Sequence, residues 1–215
     1  GLDRVTVSLD AIDEATFAAI TDSGHTVASV LAGIEAAESV GLGPIKINTV
    51  VRKGSNEDEI LDLIERFSDR DIAVRFIEFM DVGNTNGWSL DEVVTAEEIR
   101  DIIGRLEPLE SRSNSDVAKR YLLPKGDEVG IITSVTEPFC KHCTRARISA
   151  DGRLFTCLFA NRGLDLLTPL RNGSSDSEIE AIIRQHWEDR QDRYSEIRSE
   201  ETANRERVEM SYIGG

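Results

Sequence analysis

The chain has 215 residues, 40% of them apolar and 30% charged, which is enough for one large or two modest domains with a buried core and argues against disorder. Its 40 acidic and 25 basic side chains give a net charge of −15, a field that repels polyanions and speaks against non-specific binding to nucleic acid or anionic membrane. No apolar run approaches the roughly 20 residues needed to span a bilayer, and three cysteines cannot all pair within the chain, so a reducing, cytoplasmic setting is expected.

The chain opens on Val5–Leu9, a short β-rich run with no initiator methionine or lead-in, so an upstream portion is expected. Asp13 should cap a brief helix through Ile20. After Thr26, residues Val27, Val30, Leu31, Ile34 and Ala37 recur at helical spacing, and Gly41 is placed to stop that helix. Ile45–Val51 predicts the second strand. Asn56 and Glu59 then have the spacing of an N-cap and its reciprocal acid, opening a helix striped by Ile60, Leu63, Ile64 and Phe67. Val74–Met80 predicts the third strand.

Strands alternating with helices imply α/β architecture with parallel strands joined by right-handed crossovers. Ligands of such sheets lie beyond the carboxyl ends of the strands, which singles out Ser8 and Asp10, Lys46 and Asn48, Glu78 and Met80. For any one of them the bland alternative is a solvated strand end, or core filler for Met80. Three strand–helix units are too few to close a (β/α) barrel, which again points upstream.

After Met80 the pattern changes. A turn-rich loop, Asp81–Gly87, precedes Thr95 and Glu98, a capping box that should open a helix through Leu106. Pro108–Asp116 reads as a polar linker, dividing the chain into domains 1–106 and 107–215. Strands are expected at Lys119–Leu123 and Val129–Val135. Ser175 and Glu178 form another capping box, ahead of a helical stripe of Ile179, Ile182, Ile183, His186 and Trp187, with His186 at the edge of the packed face.

The most informative stretch is Cys140-x2-Cys143-x-Arg145-x-Arg147, followed by Cys157, which uses every cysteine in the chain. Asp151-Gly152 predicts a hairpin, and a two-residue turn would set Cys157 opposite Ala146, with the Cys-x2-Cys pair curled at its base. Arg145 and Arg147, two apart on an extended strand, would share a face and form a guanidinium pair suited to phosphate oxygens. A closed zinc site wants four protein ligands, and His142, inside the Cys-x2-Cys loop, is badly placed to be the fourth. An iron–sulfur cube accepts three thiolates and leaves one iron open to a ligand. On spacing the cluster is favoured, while zinc and uncomplexed thiols stay open, as does a plain solubility role for the arginines.

Together with Ser8-Leu-Asp10, Ile45-Lys-Ile-Asn48, Gly54-x-Asn56-x-x-Glu59, Val74–Met80, Pro138-Phe ahead of Cys140, Cys157-Leu-Phe159 and Ile213-Gly-Gly215, this segment closely resembles the GTP 3′,8-cyclase family. These are radical S-adenosylmethionine enzymes that begin molybdenum cofactor (molybdopterin) biosynthesis. The resemblance implies the C-terminal part of an incomplete (β/α)6 TIM-like barrel, then a C-terminal domain of strands and helices carrying a second Fe-S site. It implies a lyase that uses S-adenosylmethionine and two 4Fe-4S clusters. One cluster, on a Cys-x3-Cys-x2-Cys motif, yields a 5′-deoxyadenosyl radical that takes the 3′ hydrogen of GTP; the substrate carbon then attacks C8 to give (8S)-3′,8-cyclo-7,8-dihydroguanosine 5′-triphosphate. That motif does not occur in this chain, so the chain alone is expected to be inactive.

Carried over by position, Ser8 and Met80 would contact S-adenosylmethionine and Lys46 would contact GTP, with Asn48 lining the same cavity. Cys140, Cys143 and Cys157 would hold the second 4Fe-4S cluster, which binds guanine through its open iron, and Arg145 and Arg147 would hold GTP beside it. Gly214 and Gly215 would form a slim tail that reaches the active site and assists catalysis. An electron donor for cluster reduction and a second copy of the chain in a homodimer are the further partners expected.

Overall fold

Parallel pairing organises the first half of the chain, as the alternation of strand and helix requires. The computed structural model describes residues 1–21, 23–84, 87–112, 116–138, 140, 143–198 and 208–213. Strands β1 (Thr6–Ser8), β2 (Ile45–Val51) and β3 (Ile72–Glu78) run parallel, separated by helices α1 (Glu14–Thr21), α2 (Val27–Ser39) and α3 (Ile60–Arg66). Beyond α4 (Ala96–Ile103) come β4 (Glu107–Leu109), β5 (Lys119–Leu122) and β6 (Glu128–Ile132). They extend the same six-stranded sheet in the order β1-β2-β3-β6-β5-β4, with β6 parallel to β3 and the last two strands antiparallel.

Alternation along β2 decides the core. Ile45, Ile47, Thr49 and Val51 are buried, whereas Lys46, Asn48 and Val50 lie half-exposed on the other face. Phe17, Val27, Ile34, Ile60, Leu63, Phe67 and Ile99 from the helices join the buried strand residues in one core. Local signals for the helices are realised: Asp13 accepts from Thr16 N (2.8 Å), Thr26 and Ser29 form a capping box, and Gly41 stands just past α2 with φ 75°.

Asn56 and Glu59 behave differently from a cap. The Asn56 side chain accepts from Arg52 N (2.8 Å) and donates to Asp10 O (2.7 Å) and Val50 O (2.9 Å), while Glu59 accepts from Ile12 N (2.7 Å) and Asp13 N (3.2 Å). A 3₁₀ turn, Glu57–Glu59, precedes α3. Buried backbone groups must be paired; beyond β1 the Ile12 and Asp13 amides find their acceptor in Glu59 and the Asp10 carbonyl finds its donor in Asn56, each from more than forty residues away.

The division after Leu106 is not where the compact units part. Residues 1–80 with 90–138 form one unit, and residues 81–89 with 139–215 form the other. Pro108 and Leu109, read as linker, pair with Tyr121 and Arg120 as an edge strand, a position that tolerates proline because only one side is hydrogen-bonded. Helix α4 ends at Ile103, before Leu106, because Gly104 adopts φ 86°, and Met80 lies two residues beyond the end of β3.

The carboxylate of Glu78 closes the end of β3. It is fully buried and accepts from Ala96 N (2.9 Å), Val135 N (2.7 Å), Thr136 N (2.8 Å) and Thr136 Oγ1 (2.5 Å). It therefore binds the first turn of α4 and the segment after β6 to one strand end.

In the second unit β7 (Arg147–Ile148), β8 (Arg153–Phe155) and β9 (Leu164–Asp165) form a three-stranded antiparallel sheet, followed by α5 (Leu167–Arg171) and α6 (Asp176–Glu188). Ser175 and Glu178 cap α6 reciprocally, and His186 and Trp187 are half-buried on it. No helix among the described residues is long and apolar enough to cross a membrane.

Two outcomes test this account. Glu78→Ala should lower unfolding stability by about 2–4 kcal/mol, because four donors lose a buried charged acceptor; urea denaturation measures it. The Glu98 carboxylate, which accepts from Thr95 N (2.7 Å), Thr95 Oγ1 (2.9 Å) and Lys53 Nζ (3.0 Å), is pulled down to about 2, chiefly by the Thr95 amide. A carboxylate depressed in the folded state stabilises above its unfolded value and loses that contribution as pH falls through the folded one. The stability difference between wild type and Glu98→Gln should thus be constant at neutral pH and shrink from about pH 4.5 toward 2.

Candidate functional site

In the first unit the register sets Ser8, Asn48, Arg75 and Gly130 side by side across β1, β2, β3 and β6. Lys46, two residues before Asn48, shares their face. Arg75 lies across Gly130, where a Cβ would come within 3.1 Å of its Cγ. Burial first, then the charges of Arg75, Arg4 and Arg112, push the Lys46 ammonium below its ordinary range. Arg75 is likewise lowered by burial, against the pull of Asp116 and Glu128. Asn48 Oδ1 is buried with no hydrogen-bond partner in the structure. A chain of net charge −15 thus gathers cations on one strand face beside an unmet acceptor. Ser8 is exposed and Met80 half-exposed.

In the second unit the hairpin carries the remaining candidates. Ser149 N donates to Arg153 O (2.9 Å) and Gly152 N to Ser149 O (2.9 Å), and the ladder pairs Arg147 with Phe155 and Ile148 with Leu154. The connection is therefore the three residues 150–152, with Gly152 at φ 75°, and not the two-residue turn expected. Continued along that register, Cys157 falls opposite Arg145 and not Ala146. A substituent on Gly152 would also meet Leu167 Cβ at 2.8 Å.

Cys143 N donates to Cys140 O (3.2 Å), curling the Cys-x2-Cys segment, and Arg145 Nη2 reaches Cys143 Sγ (3.6 Å). The Arg190 guanidinium donates to Cys143 O and lies over the Trp187 ring, 3.9 Å from its centroid. Burial alone would raise the Cys143 thiol, but the Arg145 amide and guanidinium, with Arg190, bring it below its ordinary value. Cys157 is pushed up to about 11, first by burial and then by Asp192, Cys140 and Cys143, despite the Phe159 N–H directed at its sulfur (3.4 Å). Arg147 is lowered by burial and by Arg145, while Cys143 and Cys157 act in the opposite sense. All three cysteines are free thiols.

Three thiols on one segment, with the Arg145 guanidinium at Cys143, fit a soft, thiolate-held centre in donor chemistry. Among the described residues no three His, Cys, Asp or Glu side chains are grouped to hold a single metal ion. Next to Cys157 a cleft of about 320 Å³ is lined by Phe159, Arg162, Asp192, Arg193 and Tyr194. Gly214, Gly215 and His142 lie outside the described residues.

Arg190 and Asp192 carry no sequence signal tying them to the cysteines, since they stand in a polar run after α6. Arg75 could have been found from its alternate position in a β-run, in step with Lys46 and Asn48. In the metal-free chain near pH 8, iodoacetamide should label Cys143 before Cys157, because the lower thiol has the larger thiolate fraction; mass spectrometry of the two peptides follows the order.

Comparison with known proteins places these residues in a family context. Residues 72–196 match the Molybdenum Cofactor Synthesis C family, and residues 1–67 match the Radical SAM superfamily. A GTP 3',8-cyclase of Xanthomonas campestris pv. campestris (strain B100) is 46% identical over 219 residues, covering 100% of this chain and 64% of that protein. One from Staphylococcus saprophyticus subsp. saprophyticus is 43% identical over 223 residues, covering 100% of this chain and 65% of that protein. The chain spans about two-thirds of the length of these relatives (64% and 65%). With more than half of its residues matched, this chain belongs to the Molybdenum Cofactor Synthesis C family.

Proposed function

We propose that the protein to which this chain belongs is a GTP 3′,8-cyclase, and that the chain provides its second iron–sulfur site and part of its GTP and S-adenosylmethionine contacts. The observation that carries this reading is the Arg145 guanidinium 3.6 Å from Cys143 Sγ, on the one segment that also bears Cys140, Arg147 and Cys157. The identity to GTP 3',8-cyclases across the whole chain supports it.

In this reading Cys140, Cys143 and Cys157 hold a 4Fe-4S cluster, and Arg145 and Arg147 bind GTP beside it. Guanidinium groups suit phosphate and carbonyl oxygens because their planar donors pair with two acceptor atoms at once. Lys46, joined by Arg75, offers charge to the triphosphate, and the unmet Asn48 Oδ1 accepts from a hydroxyl or ring N–H of the nucleotide. Ser8 and Met80 contact S-adenosylmethionine, and Gly214-Gly215 assist from the tail. When bound, S-adenosylmethionine and the clusters supply the one-electron chemistry, with electrons from an external donor. The residues of this chain orient GTP, neutralise its charge and exclude water from it. A cytoplasmic, homodimeric protein is the corresponding setting.

Anaerobic reconstitution of this chain with iron and sulfide should give about four irons per chain with the absorption of a cubane. A colourless chain that binds one zinc tightly would sink the assignment. In the reconstituted protein, alanine at Arg145 and Arg147 should weaken GTP binding about tenfold or more, as loss of charge-assisted bonds predicts; equilibrium titration measures it, and unchanged affinity removes their role.

A further inference from the structure

We propose that Glu209, Tyr212 and Ile213 form a clamp that sets the starting point of the Gly214-Gly215 pair, which makes Glu209 and Tyr212 positioning residues for the reaction. The proposal rests on the reading above, in which the two glycines assist catalysis. Residues 209–213 fold into overlapping turns, with Tyr212 N donating to Glu209 O (3.0 Å) and Ile213 N to Met210 O (3.2 Å). Three separate attachments then hold this short segment.

The first is Glu209, whose carboxylate accepts from Asn84 N (2.8 Å) and Asn84 Nδ2 (3.3 Å). It packs so closely on Gly83 that a Cβ there would come within 2.3 Å of Glu209 Oε2, and Gly83 adopts φ 68°. The loop that receives it is itself fixed, since Asp81 is buried and accepts from Arg198 Nε (2.7 Å) and from the Tyr194 hydroxyl. The second attachment is Tyr212, whose hydroxyl donates to Asp151 Oδ2 (2.6 Å) in the turn of the β7–β8 hairpin and whose ring meets Phe155 edge-on at 6.2 Å. The third is the side chain of Ile213, only 1% exposed although its neighbour Tyr212 is 43% exposed.

Two residues reach at most about 7 Å when fully extended, so the location of Ile213 bounds where the glycines can act. Phe155, the partner of Tyr212, pairs with Arg147 across the ladder and stands two residues before Cys157. The clamp is thus referenced to the same hairpin that carries Arg147, with Cys157 two residues beyond Phe155, and a shift of the hairpin would be felt at Tyr212.

The test uses the full-length protein. Tyr212→Phe removes one hydroxyl and leaves the ring, and Glu209→Ala removes an independent attachment should the first change be tolerated or misfold. Each is expected to speed hydrogen exchange at the Tyr212 and Ile213 amides and to lower kcat about 10- to 100-fold, as misplacement of a reacting group does. KM for GTP and iron content should not change. Combining either with deletion of Gly214 and Gly215 should be no slower than the deletion alone, because the clamp acts only through the tail. Unchanged exchange, unchanged kcat in both variants, or losses that multiply with the deletion would each overturn the clamp while leaving the role of the glycines intact. If the deletion by itself leaves kcat unchanged, the role of the glycines fails first and the clamp with it.

Discussion

A fully buried carboxylate, Glu78, holds together three segments that the chain separates by up to fifty-eight residues. Its position follows from a general constraint on α/β sheets. Where strands end, backbone amides lose their ladder partners, and those that are buried must be met by some other acceptor. Asn56, Glu59 and Asp10 answer the same need at the ends of β1 and β2, with Asp10 accepting from Val50 N (2.8 Å). The strand ends where ligands of this architecture bind are therefore held by buried polar side chains as much as by apolar packing.

Electrostatics gives each unit a local character that the whole chain lacks. The net charge of −15 opposes anions, yet Lys46 and Arg75 in one unit, even with Asp116 and Glu128 nearby, and Arg145, Arg147 and Arg190 in the other gather positive charge locally. Burial lowers Lys46, Arg75 and Arg147, and like charges held together in a desolvated place are unfavourable alone, so each would gain from a neighbouring negative charge. In the hairpin the thiols meet part of this need when ionised, which couples thiolate formation to the arginines.

The second unit uses its polar groups to fasten loops. Arg198 and Asp81 form a buried pair, 4% and 1% exposed, and Arg198 also lies over the rings of Phe159 and Tyr194. Among the described residues of this unit the strands are short and few apolar side chains are buried, so such specific contacts add to its definition. Positive φ favours glycine at Gly83 and Gly152, and at Gly152 Leu167 Cβ also leaves no room for a side chain.

What the sequence determined by itself is whatever acts within a few residues: the caps at Thr26, Thr95 and Ser175, the strand runs, and the Cys-x2-Cys segment with its two arginines. These depend on spacing along a few residues, so the caps persist and the strands form with shifted ends, although β7 begins at Arg147 and leaves Arg145 outside the strand expected to carry both. Tertiary structure decided the rest. It turned the cap-like spacing of Asn56 and Glu59 to the service of a distant loop, took Pro108 and Leu109 into the first sheet as an edge strand, and lengthened the hairpin turn by one residue, moving Cys157 opposite Arg145. It also brought Arg190 to Cys143 and Asp192 to Cys157, and tied Tyr212 to Asp151. For Asn56 and Glu59 the partner is set by which buried group still lacks a hydrogen bond once the chain is packed, and for the others by which segments packing brings together; no local pattern contains that information.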